Sequence, residues 1–142
     1  MKNTKSISLK EAKKALFAME KKAEELNIGF SFCILDAMGD MLLFEKMDNA
    51  KRFSINMARA KAETSLILGS STRKIAEIKK KRGFEIASFS GNCKTEVAGG
   101  IPLCLDGENE PLGSIGVSGP SQDIDEEVAI FGAEAIGLKI KL

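Results

Sequence analysis

Apolar and polar positions change period several times along this chain, and each change marks an element. Ser8 and Glu11 form an S-x-x-E capping box. Ala12, Ala15, Leu16, Met19, Ala23 and Leu26 then recur three and four apart, which predicts a first helix stopped by Asn27 and Gly29. From Phe30 the period becomes two: Phe30, Phe32 and Ile34 alternate with Ser31, Cys33 and Leu35. Asp36 to Asp40 reads as a turn and Met41 to Met47 as the return strand, the pair laid on the first helix.

A second helix is predicted from Arg52 to Leu68. Phe53, Ile55, Met57, Ala58, Ala60, Ala62, Leu66 and Ile67 occupy most of its circumference, so it needs cover on more than one side, from the sheet and from a further subunit or a ligand. Ser71 or Thr72 caps a short third helix that ends in Lys79-Lys80-Lys81-Arg82-Gly83. Phe84 to Phe89 is expected as an edge strand, followed by a Ser90-Gly91-Asn92 loop. Gly99-Gly100-Ile101-Pro102 opens a strand to Leu105, Asp106 to Pro111 turns, and Leu112 to Ser118 returns. Glycines within this pair, Gly113 and Gly116, mark a bulge or a close approach by a backbone or a ligand. Ser121 or Asp123 caps a last helix to about Leu138. Tight hairpins imply an antiparallel sheet, and the terminal helices pack on it: an α+β domain without repeats or an internal linker.

Composition narrows the chemistry. The chain has 142 residues, 44% hydrophobic and 29% charged, with net charge +1. That suits a single globular domain and argues against a nucleic-acid or membrane-surface binder. A polar N-terminus, no membrane-length apolar run and an odd count of three cysteines point to a cytoplasmic protein. His, Tyr and Trp are absent, so Ser-His-Asp and Cys-His catalysis and histidine-ligated metal or haem are excluded.

Several clusters carry two readings. Lys61 and Thr64 share a helix face and, with Arg59, can anchor a carboxylate beside Gly99 and Gly100; alternatively Lys61 snorkels and Thr64 bonds its own helix backbone. Gly113, Gly116 and Gly119 suit strand ends and turns better than a phosphate cradle, because Asp123, Asp125, Glu126 and Glu127 follow and repel anions. Cys93 beside Lys94 is either a reactive thiol or an incidental one. Lys79 to Arg82 reads as a solvated helix end rather than a nucleic-acid contact, and Asp36 with Asp40 as turn chemistry rather than a calcium site.

Three segments together resemble one family. Ile34-Leu-Asp-Ala-Met-Gly-Asp-Met-Leu-Leu-Phe-Glu-Lys-Met-Asp48 is similar to its hairpin. Ser54-Ile-Asn-Met-Ala-Arg-Ala-Lys61-Ala-Glu-Thr64 is similar to its helix. Gly99-Gly-Ile-Pro102 with Leu112-Gly-Ser-Ile-Gly-Val-Ser-Gly119 is similar to its strand pair. The chain thus resembles the GlcG/HbpS family, the haem-degrading or PduO C-terminal domain family, over nearly its whole length. The resemblance implies a single domain over residues 1–142 with a profilin-like fold, a five-stranded antiparallel sheet flanked by helices, working as a homo-oligomer. It also implies a small-molecule site, for which Arg59, Lys61, Thr64, Gly99, Gly100 and Pro102 are the expected residues. Some members bind haem or a related tetrapyrrole and others sit near glycolate or diol metabolism. The expected function is therefore binding of a tetrapyrrole or a small organic acid, haem itself lacking a histidine ligand here. The rivals are an enzyme or accessory subunit of glycolate or diol metabolism, with Lys61, Glu63 and Asp48 as the available acid–base groups, and a ligand-free oligomeric scaffold.

Overall fold

The computed structural model describes residues 5–89, 91 and 93–140. Helix α1 spans Leu9–Leu26. Ser8 caps it through the capping box, and Asn27 closes it in the left-handed conformation. Strands β1 (Ser31–Asp36) and β2 (Met41–Lys46) form the hairpin. Helices α2 (Ser54–Leu68) and α3 (Thr72–Arg82) follow, then β3 (Gly100–Leu103), β4 (Gly113–Ser118) and α4 (Gln122–Ala135).

The sheet is antiparallel throughout, in the order β2-β1-β4-β3. Four strands are present among the described residues, where five were expected. The missing edge strand is the Phe84–Phe89 segment, in which Ile86–Ser88 forms a short 3-10 turn. The physical reason lies in its side chains. Residues five apart in a strand point to opposite faces, yet Phe84 and Phe89 meet edge to face with centroids 5.0 Å apart. Ile86 alone of residues 84–89 is buried, too small an apolar anchor for a strand. Of the loop expected after it, Ser90 and Asn92 lie outside the described residues.

The sheet separates two helical layers. On one face Phe30, Phe32, Ile34, Ile101, Ile115 and Val117 join the buried stripes of α1 and α4 in the main core. On the other face Cys33 and Leu35 meet Ala58 and Ala62 of α2 in a much smaller cluster. Helix α2 packs on β4, β3 and β1.

The face that α2 buries is the reverse of the usual one. Its buried positions are Ser54, Ala58, Ala60, Lys61, Ala62, Thr64 and Ser65, whereas Ile55 and Ile67, with Phe53 just ahead of the helix, are exposed. Two glycines explain the inversion. A Cβ on Gly116 would lie 2.0 Å from the Ala58 carbonyl oxygen, and one on Gly100 would lie 2.3 Å from that of Lys61. The helix backbone is thus seated directly on a glycine floor, and only small residues fit the seam. These glycines serve close backbone approach, one of the two uses expected of glycine in a strand.

Candidate functional site

One end of the sheet gathers the β1–β2 turn, the C-terminus of α2, the start of α3 and the loop from Leu105 to Pro111 between β3 and β4. The β1–β2 turn is rigidly built. Asp36 Oδ1 accepts hydrogen bonds from the Met38 and Asp40 backbone N–H groups, both at 2.9 Å, and the Ala37 N–H donates to Ser6 Oγ at 3.0 Å. This is turn chemistry, as expected for Asp36. Gly39 supplies the positive φ the turn needs, at 87°.

Two cavities open at this end. The larger, about 600 Å³, has Leu35, Met38, Leu66, Ile67 and Pro111 as its apolar lining, with Glu63 and Glu110 as its charged groups. The second, about 320 Å³, is lined by Ser71, Lys74, Pro102, Cys104 and Lys139 together with Asp106 and Glu108 of the loop. Gly69 and Asn109 line both, so the two adjoin.

The six expected site residues divide between these cavities and the interior. Lys61 is 1% exposed and lies inside the fold. Its ammonium donates to the Val117 carbonyl at 2.8 Å and to Asp125 Oδ2 at 3.0 Å. Gly99 and Gly100 press on it: a Cβ on Gly99 would stand 2.7 Å from Lys61 Nζ. Thr64 is also buried, and its Oγ1 accepts from the Lys94 N–H at 2.8 Å, fixing the 93–95 segment across the helix. The Gly100 N–H donates to Thr72 Oγ1 at 3.0 Å. Lys61, Gly99 and Gly100 are therefore brought together, as the sequence suggested, but Lys61 faces Asp125 and Val117 rather than a cleft. Pro102 lines the second cavity. Arg59 faces solvent and reaches Glu63 Oε1 at 3.2 Å, with Lys94 Nζ 4.0 Å from the same atom. Neither contact is an aligned hydrogen bond, so the attraction is coulombic.

Burial pushes the Lys61 ammonium below its ordinary value and the Asp125 carboxyl above its own, each partner pulling the other part of the way back. Burial, with Glu63 nearby, pushes the Cys33 thiol up to about 12. Cys93 is buried with its thiol also raised, which opposes the reactive reading. Among the described residues no group of three or more Cys, Asp or Glu is arranged to hold a metal ion.

Asp125, Arg73 and Glu126 went unnoticed as partners in the sequence. The Arg73 guanidinium donates to Glu126 at 2.9 Å and also to Asp123, tying α3 to α4. The available signal was position. Asp125 sits one turn ahead of Val128 and Ala129 on the buried stripe of α4, and a carboxylate on a buried stripe requires a partner.

A four-stranded antiparallel sheet between two helical layers, with two adjoining cavities at one end, defines the class as an α+β domain with small-molecule-sized clefts. The chain belongs to the HbpS-like family: the family model described as "Haem degrading protein HbpS-like" matches residues 7–134. A 15.0 kDa protein of the dhaT-dhaS intergenic region of Citrobacter freundii is 31% identical over 127 residues, 87% of each chain. Among solved structures, Klebsiella pneumoniae ORFY superposes with a TM-score of 0.87 at 25% identity, covering 96% of this chain and 94% of its own. A double mutant of Streptomyces reticuli HbpS gives 0.86 at 29% identity, covering 96% and 91%. The PduOC:heme complex, at 24% identity over 94% of this chain and 96% of its own with a TM-score of 0.83, shares the fold. No helix among the described residues is long and apolar enough to cross a membrane.

Proposed function

We propose that this protein is a cytoplasmic small-molecule-binding module whose ligand is a tetrapyrrole of the haem type, seated across the two adjoining cavities. The observation that carries the reading is their pairing. A cavity of about 600 Å³, in which Leu35, Leu66, Ile67 and Pro111 stand beside Glu63 and Glu110, opens, past Gly69 and Asn109, onto one that presents Lys74 and Lys139. Cavities of ~300–1,000 Å³ are of the size that takes small ligands. The macrocycle would lie against Leu35, Leu66, Ile67 and Pro111, and its carboxylates would meet the two ammonium groups. Asp106 and Glu108 share the second wall, so carboxylate binding there depends on the lysines and is weakened by salt.

Sulfur donors are the alternative to histidine in this chain. Met38 lines the first cavity and Cys104 the second, and sulfur is an established class of axial ligand for haem iron. The family description, which names haem, supports the same reading. Pro102 borders the basic end, and Arg59 acts through Glu63. Lys61, Thr64, Gly99 and Gly100 act behind the site by holding α2 and β3 in place.

A homo-oligomer is part of the reading. It is supported by Phe53 and Ile67 of the α2 region, 58% and 44% exposed, and by Phe89 nearby in sequence to α3 and also exposed.

Titration of the full chain with haemin, followed at the Soret band, tests the function. A stoichiometric shift that weakens when Lys74 and Lys139 are both changed to Glu is expected. No shift at stoichiometric haemin would end the tetrapyrrole reading. A thermal shift with small carboxylates alone would favour the organic-acid reading of the basic cavity.

A further inference from the structure

We infer that the solvent face of α1 around Phe17 is a docking surface for an acidic peptide segment of a partner protein, a role independent of the ligand reading above. The segment would set an apolar residue against the Phe17 ring and carboxylates against the lysines around it. The first observation is a large apolar side chain on the solvent side of its helix. Helix α1 buries Ala12, Ala15, Met19 and Ala23. Phe17 stands opposite that stripe, 63% exposed, and Leu9 is exposed ahead of it. At about 100° per residue, Lys10, Lys13, Lys14 and Lys21 all fall within about 60° of Phe17 around the helix axis. The Lys21 ammonium lies 5.6 Å from the ring centroid. An aromatic platform is thus ringed by lysines, with apolar and basic residues alternating along the ridge Leu9, Lys13, Phe17, Lys21.

The second observation is that the fold gives these lysines no anionic partner. None of Lys10, Lys13, Lys14 and Lys21 makes an ion pair with a described residue. Lys10 lies in the first turn, at the positive end of the helix dipole, and repels Lys13 and Lys14 three and four positions on. Nearby carboxylates are engaged elsewhere: Glu11 closes the capping box, and Glu20 interacts with Glu45 of β2. The patch also has edges. Lys22 lies over the Phe131 ring of α4, but it reaches Glu127 at 4.0 Å, and Asp123, Glu127 and Glu134 are exposed on that helix. Glu24 and Glu25 bound the patch about two turns beyond Phe17. Charge complementarity selects the occupant, since unpaired ammonium groups call for carboxylates. A membrane-surface helix turns a broad apolar face to the lipid, whereas α1 buries that face in the core. A nucleic-acid surface carries a large basic excess, whereas the net charge of this chain is +1. From Lys10 to Lys21 the helix rises ~17 Å at 1.5 Å per residue, the length of an acidic helix of about three turns.

The test uses the full chain and a fluorescein-labelled helical peptide of about 12 residues, with glutamates on one face around a central leucine, followed by fluorescence anisotropy. Saturable binding to the wild type is expected. Phe17→Ser should weaken it about tenfold or more, as loss of an aromatic anchor does, and should melt at the wild-type temperature because the ring is exposed. Lys13→Glu with Lys14→Glu should weaken binding as well. Lys80→Glu with Lys81→Glu, at the exposed end of α3, should leave it unchanged. A peptide with serine in place of the leucine should bind the wild type as weakly as the parent peptide binds Phe17→Ser, and should lose nothing further against that variant. Absence of saturable binding, or equal affinity of wild type and Phe17→Ser, would overturn the inference. An equal loss in the α3 variant would reduce the binding to general charge attraction and overturn it too. Phe17-dependent binding to phosphatidylglycerol vesicles or to a single-stranded oligonucleotide, with none to the peptide, would overturn it in favour of that surface. A lower mass for Phe17→Ser by light scattering would give the face to a second copy of this chain instead.

Discussion

Asp125→Ala should be among the most damaging single substitutions in this protein, although Asp125 lies outside both cavities. The change strips the partner from a Lys61 ammonium that is 1% exposed and retains only the Val117 carbonyl, 2.8 Å away. Breaking a buried ion pair from one side costs about 3–5 kcal/mol, because a charge is left in a poorly polarisable interior. The unfolding entropy of a chain this long is roughly 0.3 kcal/mol per kelvin, from ~2.1 cal/mol/K per residue. The melting temperature should therefore fall by about 10–17 °C. The pair itself adds little: burial dominates the shifts of both groups, so Lys61→Met with Asp125→Leu together should come close to wild-type stability. Linkage gives a second signature. In Asp125→Ala the folded Lys61 holds its proton less tightly than the unfolded chain does. Wild-type Lys61 is already held below 10.5 by burial and losing Asp125 lowers it further, so the deficit against wild type narrows as pH rises from the variant's value to the wild type's and is constant above it. In Lys61→Met the folded Asp125 binds its proton more tightly than the unfolded chain. Wild-type Asp125 is already raised above 3.8 by burial and losing Lys61 raises it further, so that deficit narrows as pH falls from the variant's value to the wild type's and is constant below it. Thermal melts by circular dichroism across pH, on wild type, both single variants and the double, read all of this. A loss under about 3 °C for Asp125→Ala, or a double variant no better than the worse single, would refute the account of Lys61 as a buried cross-brace.

Gly116→Ala places a methyl where the Ala58 carbonyl oxygen stands 2.0 Å away, so α2 must lift from the sheet; a loss of about 1–3 kcal/mol is expected by chemical denaturation, against none for Gly91→Ala, which has open space around it. Under native conditions a maleimide should label Cys104 first, since Cys33 and Cys93 are buried and the Cys33 thiol is pushed up to about 12; peptide mass spectrometry showing Cys33 labelled at the same rate would contradict the packing of α2 on β1. Ile67→Lys, on the outward side of α2, should lower the mass seen by light scattering after size exclusion, and a monomeric wild type would remove the oligomeric part of the proposal. Raising the salt concentration should weaken haem binding by the wild type and strengthen it in the variant with both Lys74 and Lys139 replaced by Glu, because screening weakens the attraction in the one and the repulsion in the other.

Periodicity carried α1 and the central strands because each buries its apolar positions, whereas α3, which buries only Thr72 and Ile75, was marked by its end signals. Helix α1 begins on its capping box and buries Ala12, Ala15, Met19 and Ala23, all positions that its spacing nominated. Where one stripe is too short, as around Ile86, local pairing of Phe84 with Phe89 decided the outcome and the pattern misled. Helix α2 was legible as a helix and illegible in orientation, since hydrophobicity ranks Ile55 and Ile67 above Ala58 and Ala62. The contact with Gly100 and Gly116 ranks by size instead, and a helix resting on a glycine floor turns its large residues outward. The same seam explains why Lys61 and Gly99, expected as anchors, stand together inside the fold rather than on a cavity wall. The motif brings lysine and glycines together because the lysine stem must pass under them to reach Asp125, whose own place on a buried stripe was the missing half of the pattern. The cavities were out of reach of this reasoning for a related reason. Met38, Gly69, Lys74, Asn109 and Lys139 come from the β1–β2 turn, the α2–α3 turn, α3, the β3–β4 loop and the segment after α4. No spacing within one element joins them, and only the strand order β2-β1-β4-β3 brings those turns to one end. A chain that builds its cleft from loop residues leaves its motifs to record how the fold is held together. Ligand chemistry is therefore best sought at the positions the motifs pass over.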